Sequence, residues 1–98
     1  MSVKIHNVSG KKILAICNKK ILGKVYMDKG LQLDLSSSFY SGTEISENEI
    51  IQLMKGIYTI NAVGSKSIDF LIRIRAISKE NVRIIKKNTL CLCYSRIN

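Results

Sequence analysis

The sequence predicts an α+β domain: a mainly antiparallel sheet of about five to six short strands with two helices on one face. Three observations carry this. Short alternating or continuous apolar runs, separated by turn signals, fill the first 36 residues. A capping box opens a helical stripe in the middle of the chain. Two more apolar runs close the chain around a Lys-Lys-Asn turn. Ninety-eight residues suit a single domain, 1–98, with one core.

Val3-Lys4-Ile5-His6 alternates as a strand does, and Ser9-Gly10 breaks it. Ile13-Leu14-Ala15-Ile16-Cys17 is a continuous apolar run, the pattern of a strand buried on both faces. Asn18-Lys19 turns the chain, and Ile21 to Met27 reads as a third strand with Gly23 as a bulge. Leu31-Gln32-Leu33-Asp34-Leu35 alternates, so these first runs read as a meander. Ser46-Glu47-Asn48-Glu49 forms the capping box, and Ile50, Leu53, Met54 and Ile57 follow at helical spacing. Residues 61–77 fit two patterns. Phe70, Ile72, Ile74 and Ala76 alternate as a strand would, whereas Ile68, Leu71, Ile72 and Ala76 suit a helix capped by Asn61 or Ser65. Val82–Ile85 and Thr89–Tyr94 read as strands flanking Lys86-Lys87-Asn88.

Charge is sorted along the chain. Residues 1–30 carry seven lysines and one acid, Asp28. Residues 31–54 have no Lys or Arg, only Asp34, Glu44, Glu47 and Glu49. Residues 55–98 carry nine basic groups against Asp69 and Glu80, and the whole chain has a net charge of +9. Sixteen isoleucines, twelve lysines and no proline match an A/T-rich coding bias or heat adaptation, but either would raise Glu together with Lys, and Glu is only four. The shortage of acids points to a polyanion partner held by phosphate contacts. The acidic middle is expected to face away from that phosphate, toward solvent or a basic protein.

The candidate nucleic-acid contacts are Lys11, Lys12, Lys19, Lys20, Lys24, Arg73, Arg75, Arg83, Lys86, Lys87 and Arg96. The pairs Lys11-Lys12, Lys19-Lys20 and Lys86-Lys87 sit at strand ends, where they would form one ridge along an edge of the sheet. Lysine is a point charge suited to phosphate and poor at reading bases, so such a ridge would bind by position and shape. Turn lysines also keep sheet edges soluble without any ligand. Arg73 and Arg75 share a face on a strand but not on a helix. The six aromatic residues are scattered, with no stacking platform for single-stranded RNA, which favours contact with folded RNA.

Catalytic and metal chemistry find little footing. His6, Cys17, Cys91 and Cys93 are the only potential metal set, and Cys91-x-Cys93 has one spacer where tetrahedral zinc sites use two to four. Free cysteines of this kind behave as small buried hydrophobes. A disulfide from Cys17 to Cys91 or Cys93 would require a hyperthermophile cytosol. The single histidine, His6, lies beside Lys4 with no orienting acid, and Glu47 and Glu49 are accounted for by the helix start. Ser9-Gly10-Lys11 lacks the flanking residues of a phosphate loop. The expectation is a binding protein rather than an enzyme, with no cofactor, no metal and no small-molecule substrate. No apolar run approaches the ~18 residues of a membrane span, and Met1 to Asn7 has polar residues where a signal peptide carries its apolar stretch. A cytoplasmic location is therefore expected.

One stretch is familiar. Leu31-Gln32-Leu33-Asp34-Leu35-Ser36-Ser37-Ser38-Phe39-Tyr40-Ser41-Gly42, the following Ile45-Ser46, and Asn61-Ala62-Val63-Gly64 resemble the archaeal domain of unknown function 424 family. Leu22-Gly23-Lys24 and Glu80-Asn81-Val82 match the same pattern in place. The resemblance covers most of the chain. It implies an archaeal, cytoplasmic, single-domain α+β protein and a helix within residues 61–77, and it transfers no activity. The chain departs from the pattern where members tend to carry a Gly-Val-Pro-His-Ala-Gln-like strand: here the region reads Lys87-Asn88-Thr89-Leu90-Cys91-Leu92. Members are also often acidic, whereas this chain is strongly basic.

Phe39 and Tyr40 either plug the junction between sheet and helix or form, with Glu44 and Glu47, a contact for a basic partner such as a neighbouring ribosomal protein. The leading expectation is a ribosome- or translation-associated protein that touches rRNA or another structured RNA through phosphate. The alternative is a free cytoplasmic protein-interaction module without RNA binding, its charge opposing self-association.

Overall fold

The computed structural model describes residues 1–28, 31–36, 38–85 and 90–96, with the backbone alone described for 26, 28, 31–33, 81, 83–85 and 90–96. The element order is β1 (Ser2–Val8), β2 (Lys11–Cys17), β3 (Val25–Asp28), β4 (Leu31–Asp34), β5 (Thr43–Glu44), α1 (Glu47–Leu53), β6 (Ile57–Val63), α2 (Ser65–Arg73), β7 (Val82–Ile85) and β8 (Leu90–Arg96). This is an α+β fold with two helices and a mixed sheet. The sheet order is β5-β1-β2-β6-β8-β7, and β3 and β4 form a separate two-stranded ribbon.

Every strand pairing is antiparallel except β2 with β6, where Cys17 stands opposite Val63. A parallel pair needs a long crossover, and residues 18–56 supply it. This central parallel pair qualifies the mainly antiparallel expectation. The predicted meander is corrected too, since β3 and β4 leave the sheet.

The central strands are buried on both faces, as the apolar run Ile13–Cys17 requires. Leu14 and Ile16 point to the larger cluster, with Ile60 and Ala62 of β6, Ile50 of α1, and Ile68, Phe70 and Leu71 of α2. Both helices therefore pack into one cluster. Ala15, Cys17 and Val63 face the other way, where Leu35 and Tyr40 cover them. A register shift between Lys12 and Ile13 lets Ile57, Ile60 and Ala62 reach the same cluster despite their mixed spacing.

Two local readings are corrected. Ile21 closes a 3-10 turn over residues 19–21, and the third strand begins at Val25 rather than at Ile21. Gly23, with φ 87°, does form a bulge: its amide donates to the Leu35 carbonyl at 2.8 Å and the Leu35 amide donates to the Lys24 carbonyl at 2.7 Å, so two residues face one. α1 ends at Leu53 because Gly56 adopts φ 83°, so Ile57 opens β6 instead of continuing the helical stripe. The capping box itself forms: the Glu49 amide donates to Ser46 Oγ at 3.2 Å, and the Ser46 amide donates to Glu49 Oε1 at 3.1 Å.

The predicted helix within residues 61–77 is present as α2, but neither Asn61 nor Ser65 caps it. The cap position is Gly64, and the capping side chain comes from the end of β2. Asn18 Oδ1 accepts from the Ser67 amide and from Ser67 Oγ, each at 2.8 Å. Gly64 has φ 104°, and a Cβ there would lie 2.4 Å from Asn18 Cγ. Glycine is required twice over, by backbone angle and by space. α2 ends with Arg75 at φ 63°, where the Arg75 amide donates to the Ile72 carbonyl and the Ala76 amide to the Leu71 carbonyl, both at 2.9 Å. This is a Schellman end with arginine in the position that favours glycine.

Candidate nucleic-acid interface

β2 places one Lys-Lys pair at each of its ends. Lys11 and Lys12 open the strand after the Ser9-Gly10 turn, and Lys19 and Lys20 follow its last residue, Cys17. Lys12 and Lys19 stand seven positions apart along this strand and its exit, on the order of 20 Å. The expected single ridge is therefore two separate sites, because a strand has two ends and the pairs were divided between them.

At the amino end of β2, Lys11 Nζ lies 4.5 Å from the Tyr58 ring centroid, and Lys12 is exposed beside Ile57 of β6. The strand register brings the backbone of Arg96 to this end, opposite Thr59. The cation–π contact holds the Lys11 stem without neutralising its charge.

At the carboxyl end, Met1, Asn18, Lys19, Lys20, Glu44 and Lys66 line a cavity of about 380 Å³. Lys19 Nζ pairs with Glu44 Oε2 at 2.8 Å. That hydrogen bond and charge hold the Glu44 carboxyl below its ordinary range, and raise Lys19 above its own. The Met1 amino group and Lys66 lower Glu44 a little further. Lys66 was absent from the sequence-based candidates. Its signal was the helix start at Ser65, which could not be placed while residues 61–77 fitted both patterns.

The remaining candidates scatter. Lys24 is exposed in the link to β3, and its carbonyl accepts from the Leu35 amide at 2.7 Å. Arg73 pairs with Glu47 at 2.9 Å and lies 5.5 Å from the Phe70 ring, and Arg75 lies beyond the helix end, so the two share no strand face. Arg83 lies in β7 opposite Leu92. Lys86 and Lys87 lie outside the described residues. Glu44 and Glu47 each touch a basic residue, so the acidic middle does not stand wholly apart from the basic blocks.

Residues 38–42 act as a strap over β1. Ser2, Lys4 and His6 alternate onto one face of that strand, and each holds the strap. Ser2 Oγ donates to the Tyr40 carbonyl at 3.1 Å and accepts from the Gly42 amide at 2.9 Å. Lys4 Nζ donates to the Ser38 carbonyl at 3.0 Å. His6 Nε2 lies 2.8 Å from the Phe39 carbonyl, an acceptor only, so this nitrogen carries the proton. The His6 and Phe39 rings stack at 4.2 Å with 7° between their planes. Tyr40 is buried in the smaller cluster, where burial pushes its phenol up to about 12. Phe39 and Tyr40 pack with the smaller cluster, on the sheet face away from both helices, so they do not plug the junction between sheet and helix, and the buried Tyr40 is removed from the expected protein contact. A Cβ on Gly42 would lie 2.0 Å from the Val3 carbonyl oxygen, so the strap passes β1 at backbone contact.

Cys17 is fully buried, and desolvation pushes its thiol up to about 11. Among the described residues, no group of three or more His, Cys, Asp or Glu converges. No helix of the described residues is long and apolar enough to cross a membrane.

Fold and surface together define a small α+β domain with a mixed sheet and cationic ends. Residues 6–95 match the family described as Protein of unknown function (DUF424), and the chain belongs to that family. A crystal structure of an uncharacterized conserved protein from Methanopyrus kandleri is similar, with 20% sequence identity and a TM-score of 0.76, over 99% of this chain and 92% of that one. The likeness shows a shared fold. No curated protein matches the chain.

Proposed function

We propose that this protein binds structured RNA through phosphate contacts made at the two ends of β2, and that it acts in the cytoplasm in association with the ribosome or another part of the translation machinery. One observation carries the reading. Among the described residues only two ion pairs form, and Lys11, Lys12, Lys20, Lys24 and Lys66 belong to neither. Charge left without an internal counter-ion is available to an external polyanion. Two cationic sites on one rigid strand hold a ligand by shape, because each grips phosphate and neither reads a base. Glu44 tempers this field at the carboxyl end by pairing with Lys19, and Lys20 and Lys66 stay outside that ion pair.

Sedimentation of tagged protein in lysate tests the proposal. Co-migration with ribosomal subunits at low salt, lost at high salt, is the expected result. Slow sedimentation at both salt concentrations contradicts it and favours a free protein-interaction module. That second reading draws on Val25 and Met27, which are 50% and 62% exposed on one face of β3.

A further inference from the structure

The cavity at the carboxyl end of β2 has a built electrostatic asymmetry. Three of its six lining residues, Lys19, Lys20 and Lys66, bring side-chain ammonium groups, the Met1 amino group adds its charge at Glu44, and one carboxylate, Glu44, meets them. Glu44 is paired with Lys19 alone, and the two side chains are 58% and 72% exposed. The carboxylate sits on β5, a two-residue strand held only to Ser2 and Val3 at the margin of the sheet. The helix terminus is not the attraction, since Asn18 Oδ1 already takes the Ser67 amide and hydroxyl.

We infer that this cavity is a phosphate pocket in which the Glu44 carboxylate occupies the place of a ligand phosphate oxygen, so that a bound phosphate displaces Glu44 from Lys19. The inference rests on the RNA reading above and names one subsite of it: a phosphodiester group of folded RNA. Carboxylate and phosphate oxygens make the same charge-assisted bond to an ammonium group, near the 2.8 Å seen for Glu44. Once Glu44 swings outward, Lys19 joins Lys20 and Lys66, and all three ammonium groups face the phosphate. Glu44 remains ionised near neutral pH, since its carboxyl is held below the ordinary range, and it therefore competes throughout the physiological interval. It also holds Lys19 in place while the pocket is empty of ligand, which reduces the ordering required on binding.

The test compares wild type, Glu44→Gln, Lys66→Ala and the control Glu47→Gln, which removes an equal charge beside Arg73. One arm measures affinity for a folded RNA hairpin by fluorescence anisotropy. The other titrates inorganic phosphate and follows the amide signals of Lys19, Lys20 and Lys66 by NMR. Glu44→Gln is expected to tighten RNA binding by about two- to fivefold, more than Glu47→Gln does, and Lys66→Ala to weaken it. Phosphate is expected to move the three amide signals, at lower concentration in Glu44→Gln. Unmoved signals overturn the pocket whatever the RNA arm shows, as does equal tightening by Glu44→Gln and Glu47→Gln. Moved signals without RNA binding by any of the proteins support the pocket and remove the RNA reading.

Discussion

The dipeptide Lys-Lys occurs at both ends of β2, in two different settings. Lys11-Lys12 stands beside an open glycine turn, with an aromatic ring as the partner of Lys11. Lys19-Lys20 stands in a crowded corner, with the Glu44 carboxylate, Lys66 of α2 and the Asn18 side chain around it. The difference comes from the chain around each pair. The crossover between β2 and β6 returns Glu44 to the carboxyl end, and the parallel pairing brings the start of α2 there too. Identical residues thus become a bare cationic tip at one end and a partly neutralised pocket at the other.

Gly64→Ala is the strongest way to break this contrast. The new Cβ meets Asn18 at 2.4 Å on a backbone with φ 104°, and a loss of about 2–4 kcal/mol in chemical denaturation is expected. Gly10→Ala, at the open end, has φ 78° but nothing within 4 Å, and should cost only about 1 kcal/mol. Equal losses at the two glycines would show that the crowded corner is not tight. Asn18→Ala comes next, with about 1 kcal/mol lost as α2 loses its cap. It also removes two of the three atoms nearest the Gly64 Cβ position, so Gly64→Ala should cost less in that background, a coupling a double-mutant cycle would detect. Arg75→Gly has the smallest expected effect, a gain of about 0.5–1 kcal/mol from relief of the positive φ at the end of α2. A destabilised Arg75→Gly protein would indicate that the arginine side chain anchors the helix end.

The elements governed by local chemistry were legible in the sequence. The Ser46–Glu49 box formed as read, and the run Ile13–Cys17 is a strand buried on both faces from Leu14 to Cys17 and half-buried at Ile13. Strand β6 was not legible, because Ile57 continues the helical spacing of Ile50 and Leu53, and only the φ of Gly56 ends the helix. The cap of α2 was hidden for another reason: Asn18 lies 49 positions from Ser67, and nothing in a local window links them. Among the candidate contacts, Lys11-Lys12 and Lys19-Lys20 lie at strand ends as read. The two pairs flank one apolar run, so their division between its opposite ends was legible in the sequence and the single ridge was a misreading of it. The ion pairs Lys19–Glu44 and Arg73–Glu47 join residues from differently charged blocks, so block charge alone overstated the separation of acid from base.

The central claim is that both ends of β2 hold RNA phosphate. The most direct test is the dependence of RNA-hairpin affinity on salt for wild type and for Lys11→Ala/Lys12→Ala. The wild-type plot of log K against log salt should fall with a slope of about −3, corresponding to roughly four phosphates contacted. The double variant should lose no more stability than the Lys11–Tyr58 contact contributes, about 0.5–1 kcal/mol, while its slope becomes shallower by about 1.5. A wild-type slope near zero, or one that the double variant leaves unchanged, would contradict the account.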